Sequence, residues 1–338
     1  MKAYVVQQGA TDLGGLRQVQ RPEPKAGARE VLVRVRATSL NFRDQAILAG
    51  RYFGGPVNRD MIPLSDGAGE VVSVGPGVTR FKSGDRVAAT FFQVWIDGSP
   101  SRPHAALGHT DLDGMLAEYA VFHEDGLVAV PSSLSFEEAA TLPCAGVTAW
   151  NALMVAGNRV KPGDTVLCMG TGGVSIFALR FAKTAGARVI ITSSSDEKIE
   201  RARTLGAFAG VNYKRHPDWE KQVQELTGGR GVNHVVEVGG VGTLARSFQT
   251  LGFGGKVALI GVLAGLTGDA NPRGLMLIGG SLHGIFVGNR RMFEDMNAAI
   301  EVNQIRPVID KVFPFEQAAD AYRHQQSGNF LGKIVIKL

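Results

Sequence analysis

The segment TVLCMGTGGVS at residues 165–175 decides the fold of this chain. An apolar run, Thr165–Met169, leads into a glycine loop of the pattern G-x-G-x-x-G, except that Ser175 occupies the third glycine position. The pattern predicts a strand, a turn at Gly170 and a helix, with Gly172 letting the backbone approach a pyrophosphate at the helix N-terminus. A tight turn without a ligand is the alternative. The predicted loop contacts to a dinucleotide are Gly170, Thr171, Gly172, Gly173 and Val174.

Strands and helices alternate around this loop. Its helix is predicted over Val174–Ala185, and a second helix is predicted to begin at Ser195. The further predicted strands are Arg188–Thr192, His234–Val238 and Lys256–Ile260. This alternation predicts an α/β fold with a doubly wound parallel sheet, the Rossmann fold, over residues 129–284.

The chain before this domain has a different pattern. Val31–Ala37 alternates apolar and charged residues, and short runs of this kind between Gly and Pro predict an antiparallel, barrel-like β domain over residues 1–128. The stretch Phe91–Gly114 lacks such a pattern and is predicted to be a long loop. A tail over residues 285–338, which ends in a strand from Lys333, is predicted to return to the β domain.

Composition excludes several classes of protein. Glycine makes up 44 of the 338 residues, roughly twice the ~7% average, and its scatter predicts tight turns rather than collagen or disorder. Two cysteines exclude a disulfide scaffold and a cysteine-rich structural zinc site. The net charge of +5 is dispersed along the chain, so no nucleic-acid partner is expected. Without a signal-like or membrane-length apolar stretch, a cytoplasmic protein with no membrane partner is expected.

The end of the second Rossmann strand predicts which dinucleotide binds. Proteins specific for NAD place an acid there, which holds the ribose 2′-hydroxyl. Here the chain reads Thr-Ser-Ser-Ser at residues 192–195. Hydroxyls from Ser193 and Ser194 together with the cation of Lys198 suit a 2′-phosphate, so NADP(H) is predicted. Helix capping is the alternative role of these serines, above all of Ser195.

Over essentially its whole length, the chain resembles the zinc-independent quinone-oxidoreductase branch of the medium-chain dehydrogenase/reductase superfamily. The segments that carry the resemblance are Asn41–Asp44, Gly67–Gly75, Lys161–Val166, Gly170–Ser175 and Gly332–Ile336. The resemblance implies a GroES-like catalytic domain, formed by residues 1–128 and 285–338, beside the Rossmann domain. It also implies a homodimer paired through Ser281–Val287.

The resemblance allows the zinc ligands to be compared residue by residue. Zinc-dependent relatives carry a cysteine near the position of Asn41, a Gly-His-Glu ahead of Gly-Ala-Gly, and a later cysteine. Here Ser65-Asp66 replaces the His-Glu pair, and only Cys144 remains. A catalytic zinc wants three protein ligands, so a metal-free enzyme is predicted. Cys144 is then interpreted as a small buried residue.

Three polar residues match active-site positions of the family. Asn41 is predicted to donate an amide N–H to the substrate oxygen, Tyr52 to act as an acid, and Asp44 to orient its neighbours. The alternatives are a turn cap, rim packing and a helix N-cap, respectively. An aromatic cluster is predicted to line the substrate cleft, with ordinary core packing as its alternative: Phe91, Phe92 and Trp95.

The resemblance implies cofactor contacts beyond the glycine loop. Ser193, Lys198 and Tyr213 are expected near the 2′-phosphate, and Lys333 at the pyrophosphate. The residues expected along the nicotinamide and the adenine–ribose edge are Thr148, Gly239, Gly261, Val262, Phe286 and Val287.

The predicted function is NADPH-dependent, zinc-free reduction of a small quinone or α,β-unsaturated carbonyl compound by hydride transfer. One alternative is an alcohol or aldehyde dehydrogenase of the same superfamily, which the missing zinc ligands disfavour. The other is a non-catalytic NADPH-binding protein.

Overall fold

The computed structural model describes residues 1–100, 105–109 and 111–338. These residues form two compact units: Met1–Val147 with Gly288–Leu338, and Thr148–Val287. The first unit continues past residue 128, because a helix at Phe136–Ala139 packs on its central strands. We refer to them as the catalytic unit and the nucleotide unit.

The described strands and helices follow one another along both units. The strands are β1 (Lys2–Val6), β2 (Leu16–Gln20), β3 (Glu30–Ser39), β4 (Asp66–Val74), β5 (Arg86–Ala89), β6 (Tyr119–His123), β7 (Leu127–Ala129), β8 (Thr165–Cys168), β9 (Arg188–Ser193), β10 (Ala209–Asn212), β11 (Val232–Glu237), β12 (Leu251–Leu259), β13 (Ser281–Gly284), β14 (Ile309–Pro314) and β15 (Lys333–Lys337). The helices are α1 (Phe42–Leu48), α2 (Phe136–Ala139), α3 (Val147–Trp150), α4 (Gly173–Thr184), α5 (Asp196–Thr204), α6 (Trp219–Leu226), α7 (Val241–Thr250), α8 (Arg273–Ile278), α9 (Arg290–Asn303) and α10 (Ala318–Gln326).

The catalytic unit is built on β3. In the described chain its main sheet has the order β14-β15-β3-β4-β5-β7, with β6 also pairing with β3, and every pairing except β14 with β15 is antiparallel. Alternate residues Val31, Val33 and Val35 of β3 pack into one apolar cluster, as the alternating pattern predicted. The tail returns as predicted: β15 pairs with β3 so that Val335 lies opposite Ser39.

The nucleotide unit is a parallel sheet of order β10-β9-β8-β11-β12-β13 in the described residues. The chain runs outward in one direction from β8 to β10 and then crosses back to β11, which is the strand order of a doubly wound Rossmann sheet. The predicted α/β fold class, with a GroES-like domain and a Rossmann sheet, is therefore confirmed. The glycine loop follows β8, at the point where the winding reverses, and ligands bind at such points in this fold.

Two details differ in extent from the sequence patterns. Ser135 and Glu138 form a capping box at the start of α2, which lasts only four residues and is followed by a π-helical turn at Leu142–Gly146. The described part of Phe91–Gly114 contains only isolated bridges, consistent with a loop. Residues 101–104 and 110 of that loop, including His104, lie outside the described residues.

Among the described helices, none has both the length and the apolar character to cross a bilayer.

Candidate active site

The glycine loop leaves an open helix N-terminus. Gly170 has φ +74°, a conformation that favours glycine, and its N–H donates to Thr192 Oγ1 at 3.1 Å. Gly172 caps α4 without any side-chain hydrogen bond, and a Cβ added to Gly170 or Gly172 would meet no atom within 4 Å. The Ser175 hydroxyl is buried and donates to the Met169 carbonyl at 2.6 Å, which ties the helix to the strand. The first N–H groups of α4 therefore have no side-chain acceptor in the part of the chain that the structure describes, and the space in front of them is open. This arrangement fits a pyrophosphate.

The residues after β9 form a turn rich in hydroxyls. Ser193 is buried, and its Oγ accepts from the Ser195 N–H at 3.3 Å, while Ser195 caps α5 by accepting from the Lys198 N–H. The nearest acid, Asp196, accepts from Asn212 Nδ2 at 2.7 Å and pairs with Arg215 at 2.6 Å. This acid is already paired, and Arg215 is a cation in this region that sequence reasoning missed. Nearby, Ser194 is partly exposed and Tyr213 is exposed.

Most of the other predicted cofactor residues follow later strands of the nucleotide unit, while Thr148 lies in α3. After β11, the N–H groups of Gly239 and Gly240 donate to Glu237 Oε1 at 2.7 and 3.1 Å. Glu237 is fully buried and was not predicted. Gly261 lies so close to the chain at Val238 that a Cβ there would be 2.3 Å from the Val238 carbonyl oxygen. Thr148 and Val287 are buried, whereas Val262 and Phe286 are exposed.

In the catalytic unit, a lysine ammonium connects the tail with the start of α1. The Lys333 side chain is 3% exposed, and its Nζ donates to the Leu40 carbonyl at 2.7 Å and to Asn41 Oδ1 at 2.6 Å. A third contact, at 3.5 Å, joins Nζ to Asp66 Oδ2. These three acceptors match the three protons of the ammonium, and the contact of Lys333 with the pyrophosphate stays a prediction of the resemblance.

Asp66 is the buried anion of this arrangement. Its Oδ1 accepts from the Ser65 hydroxyl at 2.8 Å, and its Oδ2 accepts from the Cys144 backbone N–H at 3.3 Å. The side chain is fully buried, so these partners are what stabilise its charge. We call Asn41, Asp44, Asp66, Cys144 and Lys333 the polar cluster.

Asn41 and Asp44 meet at the first turn of α1. Asn41 is the N-cap residue, and its backbone N–H donates to Asp44 Oδ2 at 2.7 Å. Burial raises the pKa of Asp44 to about 6, against the lowering effect of Arg43. Asn41 Nδ2 is buried and has no hydrogen-bond partner among the described residues. Asn41, and not Asp44, is therefore the N-cap residue of α1, whereas Asp44 is the third helical residue and accepts from the cap backbone. The Asn41 side chain keeps an unused donor.

Arg43 joins Tyr52 to the aromatic cluster, and sequence reasoning missed it. The buried guanidinium donates to the Leu107 carbonyl at 2.8 Å and lies over the rings of Tyr52 and Phe91, at 5.1 and 4.7 Å. Burial raises the pKa of the Tyr52 phenol, which therefore remains a proton donor at neutral pH. The motif Asn41–Asp44 contained Arg43, but a charged residue gives no sequence signal that it is buried.

The predicted aromatic cluster exists, and most of it is buried. The rings of Phe91 and Phe92 lie 4.7 Å apart, and those of Phe92 and Trp95 lie 5.9 Å apart. Both phenylalanines are buried, which fits their core alternative, while Trp95 is half-buried and donates to the Gly98 carbonyl.

The polar cluster has poor donors for zinc. Burial, together with the charge of Asp66, raises the pKa of the Cys144 thiol, which favours the neutral form over the thiolate that binds metals. The carboxylate of Asp66 already faces the Lys333 ammonium. Within residues 1–100, 105–109 and 111–338, no group of three or more His, Cys, Asp or Glu is arranged to hold a metal ion.

Comparisons with known proteins agree on the family of the chain. Two family models match, the alcohol dehydrogenase GroES-like domain over residues 27–132 and the zinc-binding dehydrogenase over residues 173–302. A zinc-type alcohol dehydrogenase-like protein of Schizosaccharomyces pombe is 45% identical and covers 99% of both chains. A solved structure from Sinorhizobium meliloti is 40% identical, with a TM-score of 0.91 and full coverage of both chains.

Two more distant relatives have names that describe reductases. An acryloyl-coenzyme A reductase of Metallosphaera sedula is 30% identical over 99% of each chain. A quinone oxidoreductase of Sus scrofa is 30% identical over 94% of this chain and 91% of its own.

Proposed function

The chain belongs to the medium-chain dehydrogenase/reductase superfamily of alcohol dehydrogenase-like oxidoreductases, and we propose that it is an NADPH-dependent, zinc-free reductase of quinones or α,β-unsaturated carbonyl compounds. The observation that carries this proposal is the Lys333 ammonium, held between Asn41 and Asp66 where zinc relatives have metal ligands. The Lys333 ammonium thus already places a positive charge at these residues. The neutral thiol of Cys144 belongs to a residue that contacts Asp66. A zinc ion would have to compete with that charge.

The nucleotide unit has residues suited to a nicotinamide dinucleotide. The N-terminus of α4 and the backbone of the glycine loop would hold the pyrophosphate. Ser193, Ser194, Lys198 and Tyr213 would hold the 2′-phosphate of NADP(H). The pairing of Asp196 with Arg215 supports this choice, because the first acid after β9 already has a cationic partner. When bound, the nicotinamide supplies the hydride.

The catalytic unit has two groups that can respond to the hydride. Hydride addition to the β-carbon of an enone moves an electron pair to the carbonyl oxygen, which becomes an enolate. Asn41 Nδ2 would donate a hydrogen bond to that oxygen, and the Tyr52 phenol would supply the proton that completes the saturated ketone. Asp44 would hold the Asn41 backbone in place.

A panel of quinones and enones tests the proposal. Purified protein is mixed with NADPH and each acceptor, and the loss of nicotinamide absorbance is followed. Turnover of at least one class is expected. Tight NADPH binding without turnover of any acceptor would support the alternative of a non-catalytic NADPH-binding protein instead.

Alcohol dehydrogenase is the second candidate, favoured by the names of several relatives. An NAD-dependent alcohol dehydrogenase is 33% identical, and its structure gives a TM-score of 0.91. Metal analysis separates the two candidates: stoichiometric zinc together with alcohol oxidation would replace the reductase proposal.

A homodimer is proposed through the free edge of the nucleotide unit's sheet. β13 is the edge strand, and Leu282 on it is exposed. Met276 and Leu277 of α8 are 73% and 68% exposed, which makes this region unusually apolar for a surface. Light scattering should give twice the chain mass, and a monomeric mass would remove the proposal.

A further inference from the structure

We infer that Lys333, held by Asp66, is a positioning residue that fixes the Asn41 amide so that its NH2 group faces the substrate oxygen. The inference rests on the proposed reductase function, since it assigns a role to a donor of that same site. Lys333 itself has no proton left for the substrate, because Asn41, the Leu40 carbonyl and Asp66 accept all three.

The orientation of the amide follows from the chemistry of its neighbour. An amide has an accepting end and a donating end, which coordinates alone distinguish poorly. Lys333 Nζ can only donate, so the Asn41 atom 2.6 Å from it must be the oxygen. The NH2 end must then point away from the ammonium. Asn41 Nδ2 is buried there without an acceptor among the described residues.

A buried donor without an acceptor is unfavourable for the folded state, so a rigid neighbour is needed to keep it in place. Lys333 is such a neighbour, because hydrogen bonds hold both its side chain and the backbone next to it. The Leu40 N–H donates to the Ile334 carbonyl at 3.1 Å, next to Lys333, and the ammonium donates back to the Leu40 carbonyl at 2.7 Å. This exchange locks the start of β15 to the residue before Asn41.

Asp66 places a buried carboxylate beside the Lys333 ammonium inside the catalytic unit. Its carboxylate lies 3.5 Å from Lys333 Nζ and is itself held by Ser65 and by the Cys144 N–H. The ammonium therefore polarises the Asn41 amide from its oxygen side and makes the NH2 group a stronger donor. The effect grows as negative charge develops on the substrate oxygen, which is the condition for lowering a barrier.

The experiment uses infrared spectra of a bound ketone as well as kinetics. A saturated cyclic ketone with a 13C-labelled carbonyl is bound to the protein in the presence of NADP+, and its carbonyl stretch is recorded. A hydrogen bond from Asn41 should lower the frequency in wild type. Asn41→Asp keeps the contact with Lys333 but loses the donor, so this shift should disappear. Lys333→Met frees the amide to rotate, so the shift should shrink.

The kinetic expectation is a loss in kcat that leaves NADPH binding unchanged. Asn41→Asp should lower kcat about 100–1000-fold, the range for loss of one oxyanion donor, and Lys333→Met should lower it by about 10–100-fold. Lys333→Arg keeps a donating cation and should recover part of the loss. Lys333→Met leaves the buried Asp66 carboxylate without its cation, which can prevent folding. The double variant Lys333→Met/Asp66→Asn removes the carboxylate charge as well and therefore provides a form that folds.

Lys256→Met is the matched control. Lys256 is also a buried lysine, and its ammonium donates to the carbonyls of Ala152, Ala156 and Asn158 in the nucleotide unit. Its loss should reduce stability without changing the ketone frequency. An unchanged frequency and kcat in both Lys333→Met and the double variant would overturn the inference while leaving the reductase proposal intact. Absence of turnover in wild type would overturn the proposed function, and the ketone spectra would then decide on Lys333 alone.

Discussion

Lys198 is the residue at which the choice between the two nicotinamide cofactors is tested. Lys198→Ala should raise the dissociation constant of NADPH about 10–100-fold, because a charge-assisted hydrogen bond to phosphate contributes about 1.5–3 kcal/mol. NADH lacks the 2′-phosphate, so its binding should not change. Calorimetric titration with both cofactors measures this, with Lys221→Ala as the control for loss of a lysine elsewhere in the nucleotide unit. Equal affinity of wild type for NADPH and NADH would refute the preference.

Asp44 gives a prediction with an unusual sign. Its folded pKa of about 6 lies above the ordinary value of 3.8, so between these pH values the folded chain holds a proton that the unfolded chain has released. The free energy of unfolding therefore falls as the pH rises from about 4 to about 6. Asp44→Asn should remove this loss and raise the free energy of unfolding at pH 7 by about 1–3 kcal/mol.

Denaturant titration at several pH values checks this expectation. Asparagine keeps an oxygen to accept from the Asn41 N–H, so the α1 cap survives the substitution. The difference from wild type should shrink below pH 4. A variant that is less stable than wild type at pH 7 would show that the negative charge at the start of α1 outweighs the cost of its burial.

At the scale of elements, Glu124 holds a loop to the end of β6. Its buried carboxylate accepts from the N–H groups of Thr79 and Arg80, both at 2.8 Å, and from Arg29 at 3.0 Å. Burial raises the pKa of Glu124, but these partners together outweigh it and lower the pKa to about 2. The stability that it contributes should be complete above pH 4.5 and should be lost as the pH falls through 2.

Glu124→Gln tests this connection. The neutral amide accepts more weakly and places an NH2 group where backbone donors already point, so a loss of about 1–3 kcal/mol is expected at pH 7. Thermal unfolding at pH 7 and at pH 3 measures it, and the loss should be smaller at pH 3. The exposed Glu225→Gln is the control. A loss independent of pH would contradict the role of the charge.

For the whole molecule, removal of metal is the discriminating prediction. Dialysis against a strong chelator should leave both the unfolding temperature and NADPH-dependent turnover unchanged, because the Lys333 ammonium provides the positive charge of the polar cluster. Differential scanning calorimetry and the acceptor assay measure the two quantities before and after dialysis. If activity is lost on dialysis and returns when zinc is added, the prediction of a metal-free enzyme is wrong.

The parts of the structure that sequence could predict depend on local signals. The turn at Gly170, the cap at Ser195 and the alternation along β3 each arise from neighbouring residues, and each is present in the structure. The contact of Lys333 with Asp66 joins residues 267 positions apart, so no local pattern encodes it. The burial of Arg43 also depends on a segment outside its own motif, because Phe91 supplies one of the rings beneath the guanidinium.

The position of β15 also bears on how the chain folds during synthesis. The residues of the nucleotide unit leave the ribosome as one continuous segment, and its parallel sheet can form while translation continues. The sheet of the catalytic unit cannot be completed in this way: β3 pairs early with β4 and β6, but its residues 37–39 must wait for a partner strand that is made almost three hundred residues later. Until then residues 37–39 of β3 have an open edge on that side, which is prone to pair with other chains. β15, which brings Lys333 to the polar cluster, is thus also the strand that covers this open edge of β3.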